Sequence, residues 1–145
     1  MKAMIQVRGA ASPRRLIVLC MGPVGRLTQV TFECADPPAL AEFWRAVLQL
    51  EPATGDENRQ TLEWEPVERL TFHRVEGYRP PEWPGLFGEQ QSHFDLLVTD
   101  FADACARVED AGGRALSPVL EPGPQAWRIY ADPEGHPFCL VSTPE

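Results

Sequence analysis

The stretch Ser92-His93-Phe94-Asp95-Leu96-Leu97-Val98-Thr99-Asp100 alternates over its first five residues, then runs apolar into an acidic stop. As a strand it sends His93, Asp95 and Leu97 to one face and Phe94, Leu96 and Val98 to the other. The second face is apolar enough to carry a helix. The first holds a histidine and a carboxylate two residues apart, aimed the same way by the pleat. Such a pair suits a metal, a proton transfer or a polar pocket floor.

Working outward, Phe101 to Gly112 reads as a helix with Phe101, Ala104, Cys105, Val108 and Ala111 on its apolar face, ended by Gly112-Gly113. Arg114–Val119 and Gln125–Ala131 read as strands separated by Glu121-Pro122-Gly123-Pro124. Asp132-Pro133-Glu134-Gly135 is a tight turn, with Asp132 capping it and Pro133 fixing φ. His136–Ser142 is the last strand, and His136 reads as a strand-end residue without a functional role.

The first half has the same order. Leu27–Cys34 alternates as a strand, with Val30, Phe32 and Cys34 opposite Gln29, Thr31 and Glu33. Asp36 is an N-cap, followed by prolines in the first helical turn. Leu40, Phe43, Trp44, Val47 and Leu50 follow at helical spacing, as a face that packs on a sheet. Thr54–Asn58 reads as a loop, Gln60–Glu65 and Leu70–Val75 as strands, and the Pro- and Gly-rich 76–91 as a linker.

Strand–helix–strand–strand–strand therefore occurs twice. Gln29 and His93 lie 64 positions apart, as do Asp36 and Asp100. Helix positions 40, 43, 44, 47 and 50 match 101, 104, 105, 108 and 111 at a shift of 61, and Phe72-His73 answers Phe138-Cys139. The expected fold is α+β: two βαβββ modules, residues 27–75 and 92–142, whose curled sheets form a cup. Residues 25–145 make the domain. Residues 1–24 form an appendage, either loose or lending Leu16–Cys20 as an edge strand, and a start at Met21 would give a tidier domain.

Composition sets further bounds. A chain of 145 residues with 43% hydrophobic and 23% charged residues is an ordinary globular chain, long enough for one core. The net charge of −8 argues against nucleic acid or an anionic membrane as partner. No apolar run approaches the ~18 residues of a membrane span. The N-terminal run Leu16–Met21 is too short for a secretory signal and lacks a cleavage site after it. Cys20, Cys34, Cys105 and Cys139 show no C-x-x-C pairing and read as reduced thiols of a cytoplasmic protein.

Three pieces carry a family resemblance: Val30-Thr31-Phe32-Glu33-Cys34-Ala35-Asp36-Pro37 with Ala41-Glu42-Phe43-Trp44; His93-Phe94-Asp95-Leu96; and Asp132-Pro133-Glu134-Gly135 with Phe138-Cys139-Leu140. In this order, over residues 27–142, they resemble the vicinal oxygen chelate superfamily of glyoxalases, extradiol dioxygenases and bleomycin- and fosfomycin-resistance proteins. The small bacterial glyoxalase-like domain proteins are the nearer likeness. The resemblance implies a homodimer and a cup that takes a small molecule. It also implies metal ligands on the first and last strands of each module, which map to Gln29, His73, His93 and Cys139.

Family enzymes typically present His or Gln, Glu, His and Glu at those places, so His73 and Cys139 are departures. Zinc accepts imidazole and thiolate, and nickel, manganese and iron accept imidazole. Gln29 is a weak neutral ligand and Cys139 sits among apolar neighbours, so the donor set favours a metal-free protein over a metalloprotein. The missing glutamates speak against glyoxalase I isomerisation in particular. For a divergent metal-dependent enzyme of this superfamily, a lyase/isomerase or a dioxygenase, His93 and His73 would hold the metal and Glu33 or Asp95 would be the base. For a metal-free binding or antibiotic-resistance protein, Gln29 and Thr31 with Trp64, Trp83 and Trp127 would line the pocket, and the two carboxylates would suit an amine-bearing ligand.

Overall fold

Each half of the chain starts on a strand that runs into an aspartate, and in both halves that aspartate caps a helix. Asp36 accepts from the backbone N–H of Ala39 at 3.1 Å, and Asp100 from that of Asp103 at 2.9 Å. The computed structural model describes residues 25–65, 67–83, 92–121 and 123–143; the appendage 1–24 and linker residues 84–91 lie outside the described residues.

In the first module β1 (Gln29–Cys34) leads to α1 (Pro37–Leu48), then β2 (Thr54–Gly55), β3 (Arg59–Trp64) and β4 (Glu68–Arg74). The second repeats this with β5 (Phe94–Val98), α2 (Phe101–Asp110), β6 (Arg114–Ala115), β7 (Trp127–Ala131) and β8 (Pro137–Ser142). The two sheets have equivalent orders, β1-β4-β3-β2 and β5-β8-β7-β6. The first and last strands of each module pair in parallel, as a helical crossover permits, and the other pairs are antiparallel. The two-module α+β fold expected from the repeat is the fold observed.

Two expectations change locally. Thr54–Gly55 is a short strand paired with Thr61 and Gln60 rather than loop. The strand expected over Arg114–Val119 stops at Ala115, and Leu120 rejoins the sheet only as a single bridge to Trp127. Pro118 has no N–H to give a ladder, so a strand through it is interrupted.

Each sheet buries one face. Val30, Phe32, Leu62, Leu70 and Phe72 from the first and Phe94, Leu96, Phe138 and Leu140 from the second meet α1 in one shared core. Helix α1 buries Leu40, Ala41, Phe43 and Trp44, whereas α2 buries only Val108. The seam between the helices depends on Gly113, where a Cβ would stand 2.5 Å from Val108 Cγ1 and 3.4 Å from Phe43. Burying apolar side chains on one face only leaves the other face of each sheet free to carry polar residues.

Candidate functional site

The strand register fixes the polar faces. Gln29, Thr31 and Glu33 of β1 lie beside Arg69, Thr71 and His73 of β4, with Arg59, Thr61 and Glu63 of β3 next in the row. On the second sheet Asp95 and Leu97 lie beside Cys139 and Val141, with Ile129 and Trp127 beyond. His93 precedes β5 and turns to this same face, its Nε2 3.5 Å from Asp95 Oδ1.

Strands β1 and β5 are the edges of their sheets. Between them opens a cavity of about 780 Å³. Thr31 and Glu33 line it from β1, His93 and Phe94 from the start of β5, Tyr78, Arg79, Pro81, Glu82 and Trp83 from the linker, and His136 and Pro137 from the turn into β8. Its aromatic wall includes Phe32, whose ring lies 5.4 Å from that of Phe94.

The expected site residues separate into three groups. Thr31, Glu33, Trp83 and His93 line the cavity. Asp95 and Cys139 sit just along the sheet from His93, and the donor atoms of these three all lie within 4.8 Å of one another. Gln29, His73, Trp64 and Trp127 lie elsewhere. Trp64 occupies the opposite, buried face of its sheet and packs on Phe94 at 6.0 Å, because its place in β3 is one residue out of phase with Thr61 and Glu63. Trp127 shares the face of Cys139 but stands beside Val141, outside the cavity lining.

The ligand set mapped from the resemblance is not assembled. With the N-caps Asp36 and Asp100 as the common origin, Thr31 corresponds to Asp95, and their partners on the neighbouring strand are Thr71 and Cys139. Thr71, not His73, is the counterpart of Cys139. His73 lies opposite Glu33 while Gln29 lies opposite Arg69, four residues back, a separation of about 13 Å along the strands. One ion cannot span that. The slip is of two residues, so the face was right and the position wrong.

The first module thus presents Gln29, whose amide donates to Thr31 Oγ1 at 2.8 Å, and Thr71, fully buried and 3.3 Å from the Thr61 hydroxyl. Neither brings charge to a metal. The second module presents imidazole, carboxylate and thiol, a set that fits an open three-donor site for zinc. Burial pushes the Cys139 thiol up to about 11, and the Asp95 carboxylate adds to the shift, so a metal would have to displace that proton. The residues fit a half-site within one module and do not fit a four-ligand centre.

Residues 29–141 match the model of the glyoxalase-like domain family. The chain belongs to this family. Its strands, crossovers and cup are those of the vicinal oxygen chelate superfamily, as solved structures also show. A glyoxalase-related enzyme from Fulvimarina pelagi superposes with a TM-score of 0.64 at 18% identity, covering 83% of this chain and 90% of that one. The fosfomycin resistance protein FosX from Mesorhizobium loti gives 0.62 at 14% identity, covering 84% and 94%. The oxidase ChaP-H1 gives 0.61 at 18% identity, covering 83% and 98%. No curated protein matches the chain. Identities this low establish the glyoxalase-like fold and leave the chemistry to the residues.

One residue of this glyoxalase-like domain was passed over in the sequence. His136, read as a strand end, lines the cavity with its side chain 15% exposed, and its Nδ1 lies 2.9 Å from the fully buried carboxylate of Asp132. A histidine four residues after an aspartate across a tight turn was the available signal. Among the described residues no helix is long and apolar enough to cross a membrane.

Proposed function

We propose that this glyoxalase-like protein binds an amine-bearing small molecule in the cavity between β1 and β5, without needing a metal. The observation that supports this most is the cavity itself. At about 780 Å³ it lies in the size range of ligand sites, and it draws on both modules and the linker. Its lining holds two carboxylates, Glu33 and Glu82, one guanidinium, Arg79, and four aromatic rings, Phe32, Tyr78, Trp83 and Phe94. Carboxylates and aromatic faces together favour a cationic ligand. The first module's neutral Gln29 and Thr71 are consistent with a cup that works on hydrogen bonds and charge rather than on a chelated ion.

A thermal-shift screen of amine-bearing antibiotics against α-ketoaldehyde–thiol adducts tests the ligand class. Amine-bearing compounds are expected to raise Tm. Glu33→Gln is expected to weaken the best of them about tenfold by calorimetry, equivalent to about 1.4 kcal/mol. Preference for the thiol adducts, or unchanged affinity in Glu33→Gln, would overturn the reading.

A second reading rests on the cluster of His93, Asp95 and Cys139. There a divalent ion would add Lewis acidity at the cavity edge, Glu33 in the cavity lining would act as base, and the protein would be an enzyme. Elemental analysis of untagged protein separates the two. Stoichiometric metal that disappears in His93→Ala would install the second reading in place of the first.

Two accompanying proposals concern context. Leu97 is 68% exposed beside Val141 and Trp127, an apolar strip that a second copy in a homodimer would cover. Leu97→Glu is then expected to give a monomer in sedimentation, and an unchanged species would remove the dimer from the proposal. Cys34, Cys105 and Cys139 are free thiols, which fits a reducing, cytoplasmic setting.

A further inference from the structure

The turn between β7 and β8 belongs to the second module, yet it grips the first. The Asp132 carboxylate accepts from the backbone N–H groups of Glu134 and His136, at 3.0 and 2.9 Å, and from the Trp44 indole of α1 at 3.1 Å. The Glu134 carboxylate accepts from the backbone N–H groups of Ala35 and Asp36, at the corner between β1 and α1. His136 stands between the modules. Its Nδ1 is 3.0 and 2.9 Å from the two oxygens of Asp132, and its Nε2 is 2.9 Å from the backbone carbonyl of Glu33 in β1. The Tyr78 hydroxyl lies 3.1 Å from Nε2 and 2.9 Å from the backbone carbonyl of Glu134.

A proton count decides the state of the ring. A carboxylate and a carbonyl only accept, so Nδ1 must donate to Asp132 and Nε2 to Glu33. The single Tyr78 proton then goes to the Glu134 carbonyl, and every polar atom in the set is satisfied. A neutral imidazole has one N–H. If Nδ1 keeps it, the Nε2 lone pair stands 2.9 Å from a carbonyl oxygen, and turning the Tyr78 proton to Nε2 would strip Glu134 without relieving that clash. Two N–H groups are required.

We propose that His136 is held as an imidazolium whose two N–H groups latch the β7–β8 turn of the second module to β1 of the first, making the end wall of the cavity sensitive to protonation.

The surroundings agree. His136 meets Asp132 of its own turn, the Glu33 carbonyl and the Phe32 ring of β1 and the Tyr78 hydroxyl of the linker, while Glu134, Asp36 and Arg74 act on Cys34 in the same strand β1. Arg74 is occupied by the carbonyls of Ala35 and Glu57. Cys34 is pushed up to about 11, first by burial and then by Glu134, Asp132 and Asp36. Tyr78 is raised by burial, then by Asp132 and Glu134.

The sign follows from linkage. A proton bound by the folded protein and required for its hydrogen bonds adds stability on the acid side of the imidazole titration, and that stability is lost as pH rises through it. The test is long-range proton–nitrogen NMR of the full chain across pH. At neutral pH both ring nitrogens of His136 are expected to carry protons. On raising the pH, the Nε2 signal, the Glu33 region and the Trp44 indole N–H should move with one midpoint. His136→Gln places a non-titrating amide donor near Nε2, so the Tm advantage of wild type over this variant should shrink by about 5 °C from the acid to the alkaline side. An unprotonated ring nitrogen at neutral pH would overturn the proposal, as would a Tm difference that is flat in pH. The NMR result stands even where the variant fails to fold, and neither readout depends on any ligand.

Discussion

Trp44→Ala is expected to leave no useful folded population. The indole is 1% exposed and sits where the two modules meet, with the rings of Phe32 at 5.8 Å, Phe43 at 5.4 Å, Phe94 at 6.0 Å and Phe138 at 5.1 Å around it. Its removal opens a cavity bounded by β-sheet on two sides, which cannot collapse without moving both sheets. Truncating a buried aromatic costs about 3–5 kcal/mol. Here the buried Asp132 carboxylate also loses one of its donors, a further cost of about 1–3 kcal/mol. The total is comparable with the whole stability of a small domain, about 5–15 kcal/mol. Trp44→Phe keeps most of the volume and should cost only about 2 kcal/mol, chiefly the lost indole hydrogen bond. Guanidinium unfolding measures both. A Trp44→Ala protein within 1 kcal/mol of wild type would show that α1 does not bind the modules together.

The fold was legible because two periodicities recur in one order. The alternation of Gln29–Cys34 and Phe94–Val98 gave the faces, and Asp36 and Asp100 marked the helix starts through a side chain whose purpose is to accept orphan N–H groups. Short elements were harder. Thr54–Gly55 and Arg114–Ala115 form strands because β3 and β7 offer a ladder to them, which no local pattern in two residues can reveal.

The site was legible on the faces and illegible along them. Alternation tells which residues share a side of a strand, so Thr31, Glu33, His93, Asp95 and Cys139 were brought to the polar sides as expected. It says nothing of how far one strand has slid past another. The match of Phe72-His73 to Phe138-Cys139 rested on two residues, and the observed register aligns Phe72 with Leu140 instead, through their partners Phe32 and Leu96. His73 was displaced from the ligand set for that reason. Trp64 was misplaced because β3 had no face assigned, and a bulky aromatic on a strand suits either side. His136 was missed because a histidine after a turn acquires meaning only when the carbonyl of Glu33, 103 residues earlier, is placed against it.

Asp132→Ala is expected to be nearly as costly as Trp44→Ala, though it removes only a few atoms. The carboxylate is fully buried and receives the two turn N–H groups, the Trp44 indole and the His136 ring. Alanine leaves all of these donors without their buried acceptor and leaves the His136 ring without its counter-charge. Removing one partner of a buried pair costs about 3–5 kcal/mol. Asp132→Asn keeps the shape and one acceptor but turns an N–H toward donors, so it should recover only a minor part. The decisive measurement is a double-mutant cycle between Asp132→Ala and His136→Gln. If the latch is one cooperative unit, the second substitution adds little to the first, and the coupling should be about 2 kcal/mol. Additive effects would mean that Asp132 serves its turn and Trp44 alone, and that His136 contributes to the seam between the modules by packing against Phe32 rather than through its protons.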